Sequence, residues 1–313
     1  MLCAYITHND CLRHEMGAGH PEAPARLSAI HDRLLFRGLL DHMDFREAPL
    51  ATEAQLARAH TVKHVQDTLC ASPLEGYVHV DPDTNMNPFT AVAALRAAGS
   101  AVLATDLVLA GEAASAFCCV RPPGHHAERA AAMGFCFFDN VAVGIRHATD
   151  FHGLQRVALI DFDVHHGNGS QDIFEDDPRV LMCSTYEKGL YPFADAVDGA
   201  NMINVGLPPR SGSAAFRAAV TDHWLPALER FEPQLIYISA GFDGHRDDDM
   251  GNLGLVEADY AWVTRQIMAV ARRHCQGRVI SCLEGGYDLD CLARCAVSHV
   301  GELIGAEPSG EVR

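Results

Sequence analysis

No Cys-x-x-Cys pair, no hydrophobic run of transmembrane length and no surplus of positive charge occur in the 313 residues. Each absence removes a class of function. Lysine and arginine total 24 against 41 aspartates and glutamates, a formal net charge of −17. Such a surface repels polyanions, which argues against direct nucleic-acid binding and mildly favours a cationic partner. The 11 cysteines do not pattern as disulfides either: Cys118 and Cys119 are adjacent, and Cys136 lies between Phe135 and Phe137. Buried free thiols in a reducing cytoplasm are the expectation. The N-terminus lacks a basic segment followed by a long apolar stretch, so the chain is expected to be soluble and unexported, with no membrane partner. No Pro/Gly/Ser-rich linker, fixed-period repeat or low-complexity tract divides it. With 48% hydrophobic and 21% charged residues, it reads as one globular domain over residues 1–313. Composition leaves the oligomeric state open.

What the chain does have is a series of short, continuously apolar runs: Leu2 to Ile6, Ala116 to Val120, Val157 to Ile160, Val180 to Cys183, Leu235 to Ser239 and Val279 to Leu283. Runs without polar alternation suit parallel strands covered on both faces. Between them, Pro88 to Leu109, Ser213 to Phe231 and Glu257 to Arg273 have helical spacing, with Thr90 and Ser213 as candidate N-caps. The alternation predicts a three-layer α/β/α domain with a mostly parallel central sheet. Tyr77 to Asn87 and Tyr186 to Ala200 read as long surface loops, suited to the rim of a pocket.

Polar residues gather just past four of the apolar runs. They are Arg121-Pro122-Pro123-Gly124-His125-His126, Asp161-Phe162-Asp163-Val164-His165-His166-Gly167-Asn168-Gly169, Gly241-Phe242-Asp243 and Glu284-Gly285-Gly286-Tyr287. Open α/β sheets bind ligands at the carboxyl ends of their strands. Extended backbone past Ile160 would put Asp161, Asp163 and His165 on one side. Two carboxylates and an imidazole, from Asp163, His165 and Asp243, suit a catalytic divalent metal with a position left for water; zinc is the first choice, and iron or cobalt fit the same donors. Asp161, deeper in its strand, is better placed to orient an imidazole than to ligate. His125 and His126 can shuttle protons, ligate the metal or merely face solvent. Tyr287 can pack its ring, or donate to an oxygen that gains charge as a carbonyl is attacked.

These motifs resemble the zinc-dependent histone deacetylase family, including its bacterial acetylpolyamine amidohydrolases. The resemblance covers nearly the whole chain, from His20-Pro21-Glu22 and Arg26-Leu27 through RPPGHH at 121–126, GFCFFDN at 134–140, DFDVHHGNG at 161–169, SAGFD at 239–243 and EGGY at 284–287. It implies an arginase/deacetylase-like fold and one catalytic zinc ion on Asp163, His165 and Asp243. It further implies a catalytic histidine pair, His125 with Asp161 and His126 with Asn168, and an oxyanion-stabilising Tyr287. Asn168 stands where class I members carry Asp, as in class II. An acyl channel is implied at Gly134, Phe135, Tyr191 and Met250; Met250 replaces a rim Glu associated with acetylpolyamines in one eukaryotic subgroup. A structural potassium ion is implied near Asp161, Asp163, His165 and Ser184. The substrate class is an acylated amine, peptide-borne or small. The alternatives are an arginase-like hydrolase with two metals and a non-catalytic acyl-ligand sensor.

Overall fold

All six apolar runs are parallel strands of one eight-stranded sheet in the computed structural model, which describes residues 2–193 and 196–305. In chain order the strands are β1 (Cys3–Thr7), β2 (Met43–Glu47), β3 (Val78–His79), β4 (Asn85–Met86) and β5 (Ser115–Cys118). They continue with β6 (Val157–Asp161), β7 (Val180–Glu187), β8 (Met202–Leu207), β9 (Leu235–Ala240) and β10 (Val279–Leu283). The large sheet runs β2-β1-β5-β10-β9-β6-β7-β8, and β3 and β4 pair separately as a small antiparallel hairpin. Every residue of β5, β6, β9 and β10 is buried, as their unbroken apolar sequences require. The sequence reading missed the edge strands β2 and β8, whose residues are mostly only half buried or exposed and whose apolar signal is correspondingly diluted.

Two groups of helices flank the sheet. The first half contributes α1 (Ala25–Phe36), α2 (Glu53–Leu56), α3 (Val62–Ala71), α4 (Thr90–Ala110) and α5 (Asn140–Arg146). The second half contributes α6 (Asn168–Phe174), α7 (Ser213–Ala219), α8 (Leu225–Phe231), α9 (Glu257–His274) and α10 (Leu289–Ile304). Helices α1, α10 and α9 pack in succession, while α4 packs on α5 and on β1, β5 and β10. Contrary to the expectation of no such run, α4 is long and apolar enough to cross a membrane, but 67% of its most apolar window is buried inside the protein. It is a core helix, hydrophobic nearly all round. Its Gly99 admits close contact: a Cβ there would lie 2.0 Å from the Pro49 carbonyl oxygen.

Neither proposed cap residue caps its helix. Thr90 is the first residue of α4, and its Oγ1 is taken by the Asn87 N–H (2.9 Å) and by His14 Nδ1 (2.8 Å). Ser213 follows the N-cap Gly212 and donates instead to Asp259 Oδ2 (2.6 Å). The predicted Ser213–Phe231 helix is continuous but wider in its middle, with a π-helical turn at Val220–Trp224 between α7 and α8. Tyr77 to Asn87, read as a loop, contains the β3–β4 hairpin. Among the described residues all eleven cysteines are free, and only Cys70 is exposed.

Candidate metal centre and cleft

Strands β5, β10, β9 and β6 are neighbours in the sheet, so the four polar clusters that follow them meet at one edge. Asp163, His165 and Asp243 are all buried, and each turns one ligating atom into a common space, within 4.8 Å of the other two. His165 Nδ1 lies 3.0 Å from Asp163 Oδ1 and 3.2 Å from Asp243 Oδ2. The opposite carboxylate oxygens hold the scaffold: Asp163 Oδ2 accepts the Gly285 N–H (2.9 Å) and Asp243 Oδ1 accepts the Val164 N–H (3.0 Å). The carboxylates crowd two glycines. A Cβ on Gly285 would lie 2.0 Å from Asp243 Oδ2, and one on Gly241 would lie 2.0 Å from Asp163 Oδ2.

This donor set fits a divalent cation. Asp243 Oδ2 is buried with no hydrogen-bond partner, a costly state for a carboxylate oxygen. Burial and the adjacent Asp163 carboxylate push Asp243 up to about 7, although His165 pulls the other way. Burial disfavours charge on His165, yet the two carboxylates outweigh it and hold its pKa at about 10. Two carboxylates facing one imidazole are the electrostatic imbalance that a bound cation relieves.

The tandem histidines sit beside this centre in different environments. His125 Nδ1 donates to Asp161 Oδ2 (3.0 Å), and Asp161 Oδ1 accepts the Asp163 N–H (3.0 Å). Burial works against a charge on His125, but Asp163 and Asp161 overcome it and hold its pKa well above the ordinary value. His126 Nδ1 donates to Asn168 Oδ1 (2.8 Å). The amide orientation is fixed from behind, because Asn168 Nδ2 donates to Glu128 Oε1 (2.8 Å), and a carboxylate there can only accept. His126 therefore carries its proton on Nδ1 and keeps the Nε2 lone pair free. Burial, then the charges on His125 and His165, hold its pKa well below the ordinary value. The surrounding groups thus favour the protonated form of His125 and the neutral form of His126. The sequence reading missed Glu128 in this role, and likewise Glu284, whose Oε2 accepts the N–H groups of Gly124 (2.6 Å) and His125 (3.1 Å) and so pins the histidine loop from β10.

A cavity of about 100 Å³ reaches the centre, with His126, His165 and Tyr287 in its wall and Gly134, Phe135, Tyr191 and Met250 around it. Asp83, which the sequence reading did not single out, also lines it; burial and the neighbouring Asp81 raise its pKa to about 6. Phe135 takes a left-handed backbone (φ 69°) that a bulky residue rarely adopts, held by its N–H to Thr84 Oγ1 (2.9 Å) and an edge-on His20 ring at 4.7 Å. Its ring stands 6.0 Å from that of Tyr287, nearly perpendicular. Tyr191 meets His126 edge-on at 5.0 Å. Burial raises the Tyr287 pKa well above 10 despite nearby Arg26, so its hydroxyl keeps its proton.

The outlying motif residues form a buried ion network instead of touching the cavity. Glu22 receives Arg121, with Nη2 to Oε2 at 2.5 Å, and Arg26, with Nη1 to Oε1 at 3.1 Å; Arg26 Nε also donates to the Gly286 carbonyl (2.6 Å). A second possible ligand group, Asp106, His147 and His152, lies on α4 and the turn after α5. There Arg58 donates to His147 Nδ1 (2.8 Å), which forces the Nε2 proton toward Asp106 (2.8 Å) and makes this a hydrogen-bonded relay. A larger cavity of about 300 Å³ beside Tyr5, His31 and Glu47 contains none of these groups.

Residues 20–303 match the family model described as the histone deacetylase domain. The chain is 37% identical over 297 residues to a histone deacetylase-like amidohydrolase of Pseudomonas aeruginosa, covering 92% of this chain and 78% of that one. It is 38% identical to the human polyamine deacetylase HDAC10, covering 97% of this chain but only 48% of that longer protein. The solved structure of the HDA15 HD domain superposes with a TM-score of 0.90 at 32% identity, covering 99% of this chain and 90% of that one. The chain belongs to the histone deacetylase family.

Proposed function

We propose that this protein hydrolyses an N-acyl amide, with acetyl the preferred acyl group, to a carboxylate and a free amine, and that it does so with one zinc ion. The observation that carries the reading is the cluster of three buried ligand atoms at the end of a narrow cavity whose wall holds one of them, on His165, together with the His126 imidazole and Tyr287. Zinc held by Asp163, His165 and Asp243 would supply Lewis-acid charge at the water and the acyl oxygen. His126 Nε2 takes the proton of the attacking water as oxygen bonds to the acyl carbon. Tyr287 donates its O–H to the carbonyl oxygen as that oxygen gains charge. His125, oriented by its hydrogen bond to Asp161, stabilises the same charge in its protonated form. The C–N bond then breaks, and His126 returns its proton to the departing amine. A structural potassium ion beside Asp161, Asp163, His165 and Ser184 is part of the same proposal, and the buried Ser184 hydroxyl, which has no hydrogen-bond partner, supports it.

A cavity of about 100 Å³ favours a short acyl group. The Asp83 carboxylate at the mouth and the net charge of −17 favour a substrate that is cationic beyond the amide, such as an acetylpolyamine or a lysine-bearing peptide. Met250 places no charge of its own there. The test is a metal-controlled product assay across acetyl-lysine peptides, acetylpolyamines and longer acyl chains in ¹⁸O-labelled water. Equimolar amine and labelled carboxylate are expected, fastest for acetyl. Binding without turnover across the panel would favour the sensor reading, and two metals per chain in this cleft the arginase-like one.

The base assignment makes a pH prediction. A carboxylate in place of the Asn168 amide, introduced as Asn168→Asp with Glu128→Gln to avoid a like-charge neighbour, favours the protonated form of His126. Its pKa should rise by about one unit or more. Because the neutral form is the base, the acid limb of the kcat/KM profile should move to higher pH by the same amount. An acid limb that stays in place would remove His126 from that role.

A further inference from the structure

Asp248 is buried at 3% exposure, and it belongs to none of the motifs that carry the chemistry. Its carboxylate accepts three backbone N–H groups from two separate segments. Oδ2 takes those of Tyr287 (2.6 Å) and Asp288 (3.0 Å), and Oδ1 takes that of Met250 (3.0 Å). Met250 and Tyr287 both line the catalytic cavity. Asp288 in turn caps α10, accepting the Cys291 N–H at 2.8 Å. One anion therefore ties the mouth of the channel to the turn that presents the tyrosine, at the N-terminal end of a helix where negative charge is favoured.

That turn needs outside support. Tyr287 follows Gly285 and Gly286, and Gly286 has a φ of 115° that side-chain-bearing residues rarely adopt, so the local chain has little stiffness of its own. Arg26 holds the Gly286 carbonyl from one side (2.6 Å), with its guanidinium 4.8 Å from the Tyr287 ring. Asp248 holds the next N–H from the other side. We propose that Asp248 is a positioning residue for the tyrosine hydroxyl, acting through the Tyr287 backbone and coupling it to the Met250 rim. The inference rests on the reading of Tyr287 as the donor to the acyl oxygen. A donor displaced by about 1 Å loses up to about 100-fold in rate.

The test is a double-mutant cycle on the zinc-loaded enzyme with one acetylated amine, using wild type, Asp248→Asn, Tyr287→Phe and the double variant. It is read as kcat and KM alongside zinc content and thermal unfolding. Asparagine offers one acceptor atom where the carboxylate has two, so at least one segment is released. Asp248→Asn should lower kcat by about tenfold or more with KM and zinc content little changed. In the Tyr287→Phe background the same substitution should cost less than about twofold, since the hydroxyl it positions is gone. An equal loss in both backgrounds would overturn the inference, as would wild-type kcat for Asp248→Asn. Wild-type kcat for Tyr287→Phe would instead overturn the reading of the tyrosine, and the inference with it. Should Asp248→Asn not fold, Asp248→Ser, which keeps an acceptor and leaves room for water, goes through the same cycle with the same outcomes.

Discussion

Replacing Tyr287 by phenylalanine is expected to lower kcat by about 10²–10³-fold, or about 2.7–4 kcal/mol of barrier, while zinc content stays at the wild-type level. The substitution removes one oxygen and leaves the packing. The ring still meets Phe135 edge-on and Arg26 across its face, and the backbone ties to Asp248 and Arg26 do not involve the hydroxyl. What disappears is a proton donor that burial keeps neutral and that lines the cavity beside His126 and His165. Such a donor acts on charge that develops during the reaction, so the loss should fall on kcat and leave KM nearly unchanged. A KM effect with kcat preserved would make Tyr287 a binding residue only.

Asp243→Asn is expected to lower zinc affinity by at least about 100-fold and turnover with it, while the fold is retained. This variant separates the two functions of the side chain. Asp243 Oδ1 accepts the Val164 N–H, a bond that an asparagine carbonyl oxygen can keep. Oδ2 is the buried oxygen without a partner, and the amide nitrogen that replaces it is no ligand for a divalent ion. Asp163 offers no such separation, because one oxygen accepts the His165 N–H and the other the Gly285 N–H. Metal content measured on purified protein, with an unfolding curve beside it, checks the prediction. Full zinc occupancy in Asp243→Asn would remove Asp243 from the ligand set.

The parts of the site that could be read in the sequence were those carried by short segments on buried strands. Asp161, Asp163 and His165 continue one apolar run, and His125 and His126 follow another, so strand geometry alone brings them to the same edge. Groups that act across long sequence separations gave no such signal. Glu284 reaches the Gly124 N–H over 160 residues, Asp248 reaches Tyr287 over 39 and Glu128 reaches Asn168 over 40. Glu128 and Asp248 are ordinary acidic residues, and Glu284 only a neighbour of Tyr287, until the sheet order is known. Asp83 enters the cavity because the β3–β4 hairpin folds back and Thr84 binds the Phe135 N–H, a contact between two loops. The two wrong caps have a similar origin. Thr90 and Ser213 are good capping residues by type, but His14 and Asp259, distant in sequence, compete for their hydroxyls. Strands β2 and β8 escaped notice because an edge strand buries only part of its side chains and so lacks an unbroken apolar run.

Zinc titration of metal-depleted protein tests the central claim most directly. The protein is stripped with a chelator, its residual metal is measured by mass spectrometry, and release of acetate from an acetylated amine is followed as zinc is returned. Turnover should be absent at the start, rise in proportion to added zinc and level off at one ion per chain. Undiminished turnover in protein verified to be free of metal would contradict the account.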